Sequence, residues 1–327
     1  MKALRLRRGE ARLDEHVPVP EPGPGQVRVR IIRAAVGRTA IEVAGDPARR
    51  HEDATLGGLA CGTVEAAGRG VAAAWTGARV AFPVHAWCGA CDRCRRGLRD
   101  HCRERTLLGM DGRDGVLAER AIVDAIGLVR VPDSLDDDQA ALAGVIAAAL
   151  RIVRRADAAA GPFVTVLGDG PLGLAVLQLL APRREGVRLV GASAAGLAAA
   201  ARLGLRHRAV REIGRRGDQD LVIDATGRAG GLLDALDLVR PGGTILRPGL
   251  EPRPVDPARG LPPDRLARDE VSLVGCGFGP VDRAIDALAR GEADVAPLIG
   301  SRMRLADGPE LVRTRARDGA LEVLVAP

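Results

Sequence analysis

The stretch "VTVLGDGPLGLAVLQLL", residues 164–180, decides the fold of this chain. A short apolar run precedes three glycines in G-x-G-x-x-G spacing, and a segment of helical composition follows them. Glycine permits the tight turn, the close approach of backbone to a pyrophosphate, and the close packing of helix on strand. The N-terminus of the helix then faces the negative charge. We predict a dinucleotide site here, the alternative being a glycine-rich turn without a ligand. Its residues are Gly168, Gly170, Pro171, Leu172 and Gly173.

The sequence around this turn predicts an α/β protein with two domains. Apolar runs such as "VRLVGA" and "QDLVIDAT" alternate with helical segments, which is typical of a doubly wound parallel sheet, a Rossmann fold. Residues 26–36, "QVRVRIIRAAV", instead alternate polar and apolar as half-buried strands do. A helix is expected from residue 136, where three aspartates precede an alanine-rich run that ends in arginines.

The second strand of the predicted sheet bears on the choice of cofactor. An acid usually stands about 20 residues after the glycine turn, where it binds the ribose 2′-hydroxyl of NAD. That place falls on Gly191, followed by Ala192 and Ser193. A carboxylate at residue 191 would repel a 2′-phosphate. Since none is present there, NADP(H) is favoured over NAD(H). No arginine stands immediately after Ser193 to hold the phosphate, so Arg206, Arg208 or Arg211 would have to reach it from the next loop.

Four cysteines form the most specific motif in the chain. They lie in C-x2-C-x2-C-x7-C spacing within "CGACDRCRRGLRDHC", a pattern that suits one tetrahedral Zn²⁺. Four thiolate ligands leave no coordination position for a substrate, so the metal is expected to be structural. An iron–sulfur cluster and two disulfides are the open alternatives. The predicted ligands are Cys88, Cys91, Cys94 and Cys102.

Composition and charge argue against several classes of protein. The net charge is +6, but the arginines are spread along the chain and aromatic residues make up only 2% of it, which disfavours nucleic-acid binding. The N-terminal residues are charged and proline-rich, and no apolar run of about 18 residues is present, so neither a signal peptide nor a membrane span is expected. We therefore predict a cytoplasmic protein that acts on a small molecule. No tyrosine is available as a proton donor.

Further motifs run nearly from end to end: "VPVPEPGPGQVRVRIIRAAVGRT", the four-cysteine segment, the glycine turn, "DLVIDATG", "LVRPGGTI" and "DEVSLVGC". In combination they resemble a medium-chain dehydrogenase/reductase of the zinc alcohol dehydrogenase type. The resemblance implies a partly open, β-barrel-like (GroES-like) catalytic domain over residues 1–146 and 277–327, with a structural zinc lobe at 85–103. It also implies a Rossmann domain over 147–276 and a homodimer or homotetramer.

The resemblance fails at the catalytic zinc. Zinc-dependent members carry a cysteine, a histidine–glutamate pair and a further ligand or carboxylate at places that here read Gly37, Gly58 with Leu59, and Gly144. Glycine has no side chain with which to bind zinc. No catalytic Zn²⁺ is therefore expected, and Lewis-acid activation of a carbonyl is lost with it. The glycines are also expected to enlarge the substrate pocket.

Residues beside the vacated site suggest other chemistry. By the resemblance, Arg38 matches a contact to the cofactor pyrophosphate, and Thr39 matches a hydroxyl that relays a proton from the substrate. Glu42 falls where some relatives carry a relay histidine, and His51 lies in the following loop. Structural roles for Glu42 and His51 are the alternative. Further cofactor contacts are expected from Gly191, Ser193 and Thr226.

Hydride transfer to a ketone develops alkoxide charge that a metal would normally stabilise, whereas addition to an electron-poor carbon needs less help. The sequence therefore predicts an oxidoreductase, an NADPH-dependent reductase of an activated C=C or C=N bond, acting on a bulky, secondary-metabolite-like substrate. A zinc-independent alcohol or sugar-alcohol dehydrogenase is the first alternative. A non-redox cyclase or isomerase, or a scaffold that retains the fold, is the second.

Overall fold

The computed structural model describes residues 1–7, 10–37, 54–110, 112–159, 161–214, 216–228, 230–249, 263–315 and 321–327. The strands are β1 (Ala3–Arg7), β2 (Glu10–Asp14), β3 (Gln26–Val36), β4 (Leu59–Ala67), β5 (Arg79–Ala81), β6 (His85–Ala86), β7 (Thr106–Leu108), β8 (Gly112–Arg113), β9 (Arg120–Asp124), β10 (Val129–Arg130), β11 (Val164–Leu167), β12 (Val187–Gly191), β13 (His207–Ala209), β14 (Gln219–Asp224), β15 (Val239–Pro248), β16 (Ser272–Cys276), β17 (Ile299–Arg304) and β18 (Glu322–Ala326). The helices are α1 (Asp92–Arg95), α2 (Asp137–Ala141), α3 (Ala143–Ala156), α4 (Pro171–Leu180), α5 (Ala194–Arg202), α6 (Gly231–Leu238), α7 (Pro263–Arg268), α8 (Val281–Ala289) and α9 (Gly308–Arg315).

These elements form two compact units. The first comprises residues 1–144, 281–290 and 299–327, and the second comprises 145–280 and 291–298. The mixture of sheets and helices confirms the predicted α/β class.

The first unit is built on a seven-stranded sheet, whose strands run in the order β10-β5-β4-β3-β18-β17, with β9 also paired to β3. Alternate residues of β3, such as Val27 and Val29, are buried, because successive side chains of a strand point to opposite faces. The last strand of the chain, β18, pairs antiparallel with β3, which brings Val323 opposite Val36. The C-terminal strand therefore lies beside β3, close to Gly37.

The second unit contains a six-stranded parallel sheet in the order β13-β12-β11-β14-β15-β16. Counted within the unit, this is the order 3-2-1-4-5-6 of a Rossmann sheet. The central strand β11 is buried along its whole length, and its Thr165 hydroxyl donates to Gln219 on β14 at 2.7 Å. Ligands of such sheets bind at the carboxyl ends of the strands, where the strand order reverses between β11 and β14.

The helix expected from residue 136 forms as two helices, α2 and α3. Asp136 caps α2: its side chain accepts from the Gln139 backbone N–H at 2.7 Å, and the Gln139 side chain accepts from the Asp136 N–H at 2.9 Å. This reciprocal capping box satisfies two N–H groups that the first turn leaves free. Two helices separated at Leu142 thus replace the single one expected from the sequence.

Candidate functional site

The four cysteines come together as predicted. One sulfur from each of Cys88, Cys91, Cys94 and Cys102 lies within 4.8 Å of the others. The Cys102 sulfur is 3.6 Å from that of Cys88 and 3.9 Å from that of Cys91. Tetrahedral zinc with bonds of about 2.3 Å places its sulfur ligands roughly 3.8 Å apart, so these residues fit Zn²⁺.

The backbone N–H groups of Cys88, Cys91, Cys94 and Glu104 donate to these sulfurs. Hydrogen bonds from the Arg103 and Cys94 backbones lower the pKa of Cys91 to about 6. Desolvation, together with hydrogen bonding among the thiols, raises the pKa of Cys94 to about 12. Four thiols this close cannot all ionise without a cation between them. The cluster is therefore matched to a metal that supplies the opposing charge.

His85 and Trp87 lie beside this lobe. The His85 ring is 4% exposed, and its Nε2 lies 3.0 Å from Asp100 Oδ1. Its ring centroid is 5.5 Å from that of Trp87, and both residues line a small cavity with Ile126. His85 thus links β6 to the cysteine lobe through a buried contact to Asp100.

The glycine turn has the backbone that a pyrophosphate requires. Gly168 has φ +114°, and a Cβ there would lie 2.7 Å from the Ala225 carbonyl. A Cβ on Gly173 would collide with the Gly168 carbonyl oxygen, whereas Gly170 faces open space. Helix α4 begins at Pro171, and no side chain caps its first turn. The free N–H groups of that turn fit a bound pyrophosphate.

Thr226 follows β14 and lies next to this turn, since a Cβ on Gly168 would be 2.8 Å from the Thr226 backbone nitrogen. Its hydroxyl donates to Asp224 Oδ1 at 2.7 Å. Asp224 is 5% exposed, and burial raises the pKa of its carboxyl group. The hydroxyl proton of Thr226 is therefore directed at Asp224, and its oxygen accepts from the Arg228 N–H at 3.2 Å. A contact to the cofactor stays a prediction.

A carboxylate occupies the end of β12, where the sequence places no acid. The Asp169 side chain comes from the middle of the glycine turn, and its Oδ2 accepts from the Ser193 N–H at 2.6 Å and from the Ser193 hydroxyl at 2.8 Å. A Cβ on Gly191 would lie 2.5–2.6 Å from the Cβ, Cγ and Oδ2 of Asp169. Counting residues along β12 alone missed Asp169; a charged residue between the first two glycines was the available signal.

At the three vacated zinc-ligand places, neighbouring side chains occupy the space. A Cβ on Gly37 would collide with the Glu322 carboxylate, and one on Gly58 would lie 2.5 Å from Val84 Cγ2. A Cβ on Gly144 would collide with the methyl group of Leu59. Side chains therefore occupy the positions where a Cβ on each glycine would lie. Enlargement of the substrate pocket stays a prediction.

Glu322 is the second residue that the sequence analysis missed. It begins β18, is 7% exposed, and lies across from Gly37 at the end of β3. Because buried carboxylates are uncommon, an acidic residue at the start of an otherwise apolar strand was the sequence signal that could have pointed to Glu322. The predicted residues Arg38, Thr39, Glu42 and His51 lie outside the described part of the chain.

Within the described residues, no helix is both long enough and apolar enough to cross a membrane.

Comparisons with known proteins agree with this architecture. Residues 23–133 match the alcohol dehydrogenase GroES-like domain. An L-threonine 3-dehydrogenase from Anaeromyxobacter dehalogenans (strain 2CP-C) is 30% identical over 273 residues, which is 78% of each chain. A zinc-binding dehydrogenase structure from Sinorhizobium meliloti 1021, bound to NADP, has a TM-score of 0.84 at 27% identity and covers 100% of this chain and 99% of its own. An alcohol dehydrogenase from Escherichia coli CFT073, complexed with NADH, has a TM-score of 0.86 at 21% identity with the same coverage.

The relationship to the threonine dehydrogenase extends over most of both chains, and the matched domain, the Rossmann sheet and the cysteine lobe agree with it. The NADP in the Sinorhizobium meliloti structure belongs to that protein. The chain belongs to the medium-chain dehydrogenase/reductase superfamily and is an oxidoreductase of that type.

Proposed function

We propose that this protein transfers hydride between its nicotinamide cofactor and an activated C=C or C=N bond, without a catalytic zinc. The observation that supports this is the glycine at residues 37, 58 and 144, which offers no side-chain metal ligand, while neighbouring side chains fill the space beside each one. A reaction without a Lewis acid is easiest at a carbon that is already electron-poor.

The chain's own residues divide the work as follows. The glycine turn and the free N–H groups of α4 hold the pyrophosphate, and the bound nicotinamide supplies or accepts the hydride. Thr39 relays the proton, with Glu42 or His51 as its partner. Glu322 adds a buried acid next to Gly37, at the place of the lost cysteine ligand. The form of the cofactor depends on the carboxylate beside Gly191.

Other parts of the prediction have less support. The argument for a bulky substrate rested on space beside the three glycines, and their neighbours take up that space. Homo-oligomeric assembly and a cytoplasmic location stay predictions. A scaffold role is disfavoured, because a protein without cofactor chemistry has no need of the uncapped helix and side-chain-free turn at residues 168–173.

A zinc-independent alcohol dehydrogenase is the second candidate. It is favoured by the similarity to an L-threonine 3-dehydrogenase, an enzyme named for oxidation of an alcohol. In that reaction a carboxylate or imidazole would have to remove the hydroxyl proton unaided by metal.

The two candidates differ in what they do with reduced and oxidised nicotinamide. The purified full chain, with its zinc content measured, is mixed with either reduced cofactor and a panel of enones and cyclic imines, and the loss of reduced nicotinamide is followed by absorbance. The same protein is given oxidised cofactor with secondary alcohols and sugar alcohols. We expect turnover in the first set. Turnover confined to the second set would establish the alcohol dehydrogenase, and two zinc ions per subunit would contradict both candidates.

A further inference from the structure

The Rossmann sheet carries an acid in an unusual position. Asp169 is the second residue of the G-x-G turn, yet its carboxylate reaches across to the end of β12 and the start of α5. It accepts two hydrogen bonds from Ser193, and the Ser193 hydroxyl in turn accepts from the Gly196 N–H at 3.0 Å to cap α5. The Asp169 side chain is therefore held in place by the helix cap.

Residues 169 and 191 cannot both carry a side chain of this size. The Cβ of any residue at position 191 would fall within 2.6 Å of the Asp169 carboxylate, and one at Gly196 would lie 2.7 Å from the Asp169 Cβ. The glycine at the strand end is thus what gives the turn carboxylate its space. The acid at residue 169 thus compensates for the absence of an acid at residue 191.

The carboxylate retains the capacity to bind a further donor. Oδ2 receives both Ser193 hydrogen bonds, and among the described residues none donates to Oδ1. Asp169 is half-buried, so a ligand at the carboxyl end of β12 can reach it. An ionised carboxylate accepts hydrogen bonds only, which suits a hydroxyl group and opposes a phosphate.

Two of the three arginines considered as partners for a 2′-phosphate have contacts elsewhere. Arg206 donates to the Glu185 carbonyl at 3.1 Å. Arg211 lies 3.9 Å from Glu212 and is 83% exposed, so solvent screens it. Arg208 is exposed on β13, opposite Val190. Of these three arginines, Arg208 is therefore the candidate partner for a 2′-phosphate.

We infer that Asp169 acts as the ribose-binding acid that β12 lacks: it accepts a hydrogen bond from the adenosine 2′-hydroxyl and excludes a 2′-phosphate. The protein therefore selects NAD(H) over NADP(H), the reverse of what residue 191 alone predicts. This inference rests on the nicotinamide site proposed above and concerns its specificity.

The test measures binding without substrate. The dissociation constants of NADH and NADPH are determined by fluorescence titration for the full chain, for Asp169→Asn, and for Asp218→Asn, which removes an exposed acid from the same unit. We expect the wild type and Asp218→Asn to bind NADH at least about tenfold more tightly than NADPH, and Asp169→Asn to reduce that ratio by about tenfold or more. The amide keeps the shape of the carboxylate and one acceptor for Ser193.

Three results would overturn the inference. The first is a wild type that binds NADPH as tightly as NADH; a loss of that NADPH binding in Arg208→Gln would then assign the phosphate to Arg208. The second is an Asp169→Asn variant that binds both cofactors equally more weakly and melts at a lower temperature, which would leave Asp169 with a purely structural role. Failure of the wild type to bind either cofactor would refute the nicotinamide site itself, and is distinguishable from a loss of preference alone.

Discussion

The closed space beside Gly58 makes a quantitative prediction about the vacated zinc site. Gly58→Ala would place a methyl group 2.5 Å from Val84 Cγ2 and 3.2 Å from the Leu108 carbonyl oxygen, whereas carbon atoms normally rest about 3.5–4.0 Å apart. Valine is branched at Cβ and has few rotamers with which to move away. Overpacking of this kind costs about 1–3 kcal/mol, and the smaller entropy of the unfolded alanine chain returns about 0.4–1 kcal/mol. We expect a net destabilisation of about 0.5–2 kcal/mol.

The matched control removes the obstructing methyl groups. In the Val84→Ala background Cγ2 is gone, so Gly58→Ala should become neutral or slightly stabilising, with a coupling energy of about 1–2 kcal/mol between the two changes. Urea unfolding followed by tryptophan fluorescence measures this well, because Trp75 and Trp87 both lie in the first unit. Single changes that add within about 0.5 kcal/mol would refute the reasoning, because Val84 would then not be what opposes a side chain at residue 58.

Three further predictions concern other parts of the chain. Elemental analysis should find one zinc per subunit in the wild type and none in Cys94→Ser, with a lower melting temperature; unchanged zinc in the variant would remove Cys94 from the ligand set. Thr39→Val should lower turnover more than about tenfold while cofactor affinity is unchanged and Thr39→Ser stays active, and an unaffected rate would make Thr39 structural. A hydrogen bond from Arg240 lowers the pKa of Asp220, so the pair stabilises the fold above the unfolded pKa, and that stability is lost as pH falls through the lower folded value. Asp220→Asn should lower the free energy of unfolding by about 1–3 kcal/mol at neutral pH and make it depend less on pH in the acid range. The control is Asp286→Asn, which changes an exposed acid and should do neither. Equal losses of stability in both variants would contradict the pairing of Asp220 with Arg240.

Local motifs predicted much of the fold because their physical requirements are local. A glycine turn between strand and helix allows few arrangements, and the observed φ of +114° at Gly168 is one that other residues rarely adopt. The cysteine spacing places four sulfurs within a short segment, so their convergence needs little help from the rest of the chain. The division of the expected helix at Leu142 escaped the composition argument, because alanine-rich segments favour helix on both sides of a break.

The contacts around the vacated zinc site were beyond such reasoning. Gly37 and Glu322 are 285 positions apart in the sequence, and the pairing of β18 with β3 brings them together. A glycine in the sequence indicates that a side chain is missing but carries no information on what replaces it. The expectation of an enlarged pocket followed from the missing side chains alone. Packed interiors, however, fill voids wherever a neighbouring side chain can reach.

The same limit applies to the cofactor. The sequence rule looks for an acid at the end of the second strand. The cofactor, however, interacts with a charge at that position in space, whichever residue supplies it. In this chain the Asp169 carboxylate arrives from the preceding turn, and Gly191 leaves the space for it. Position 191 and position 169 must therefore be considered together: a glycine at the first favours NADP(H) only if the second carries no acid.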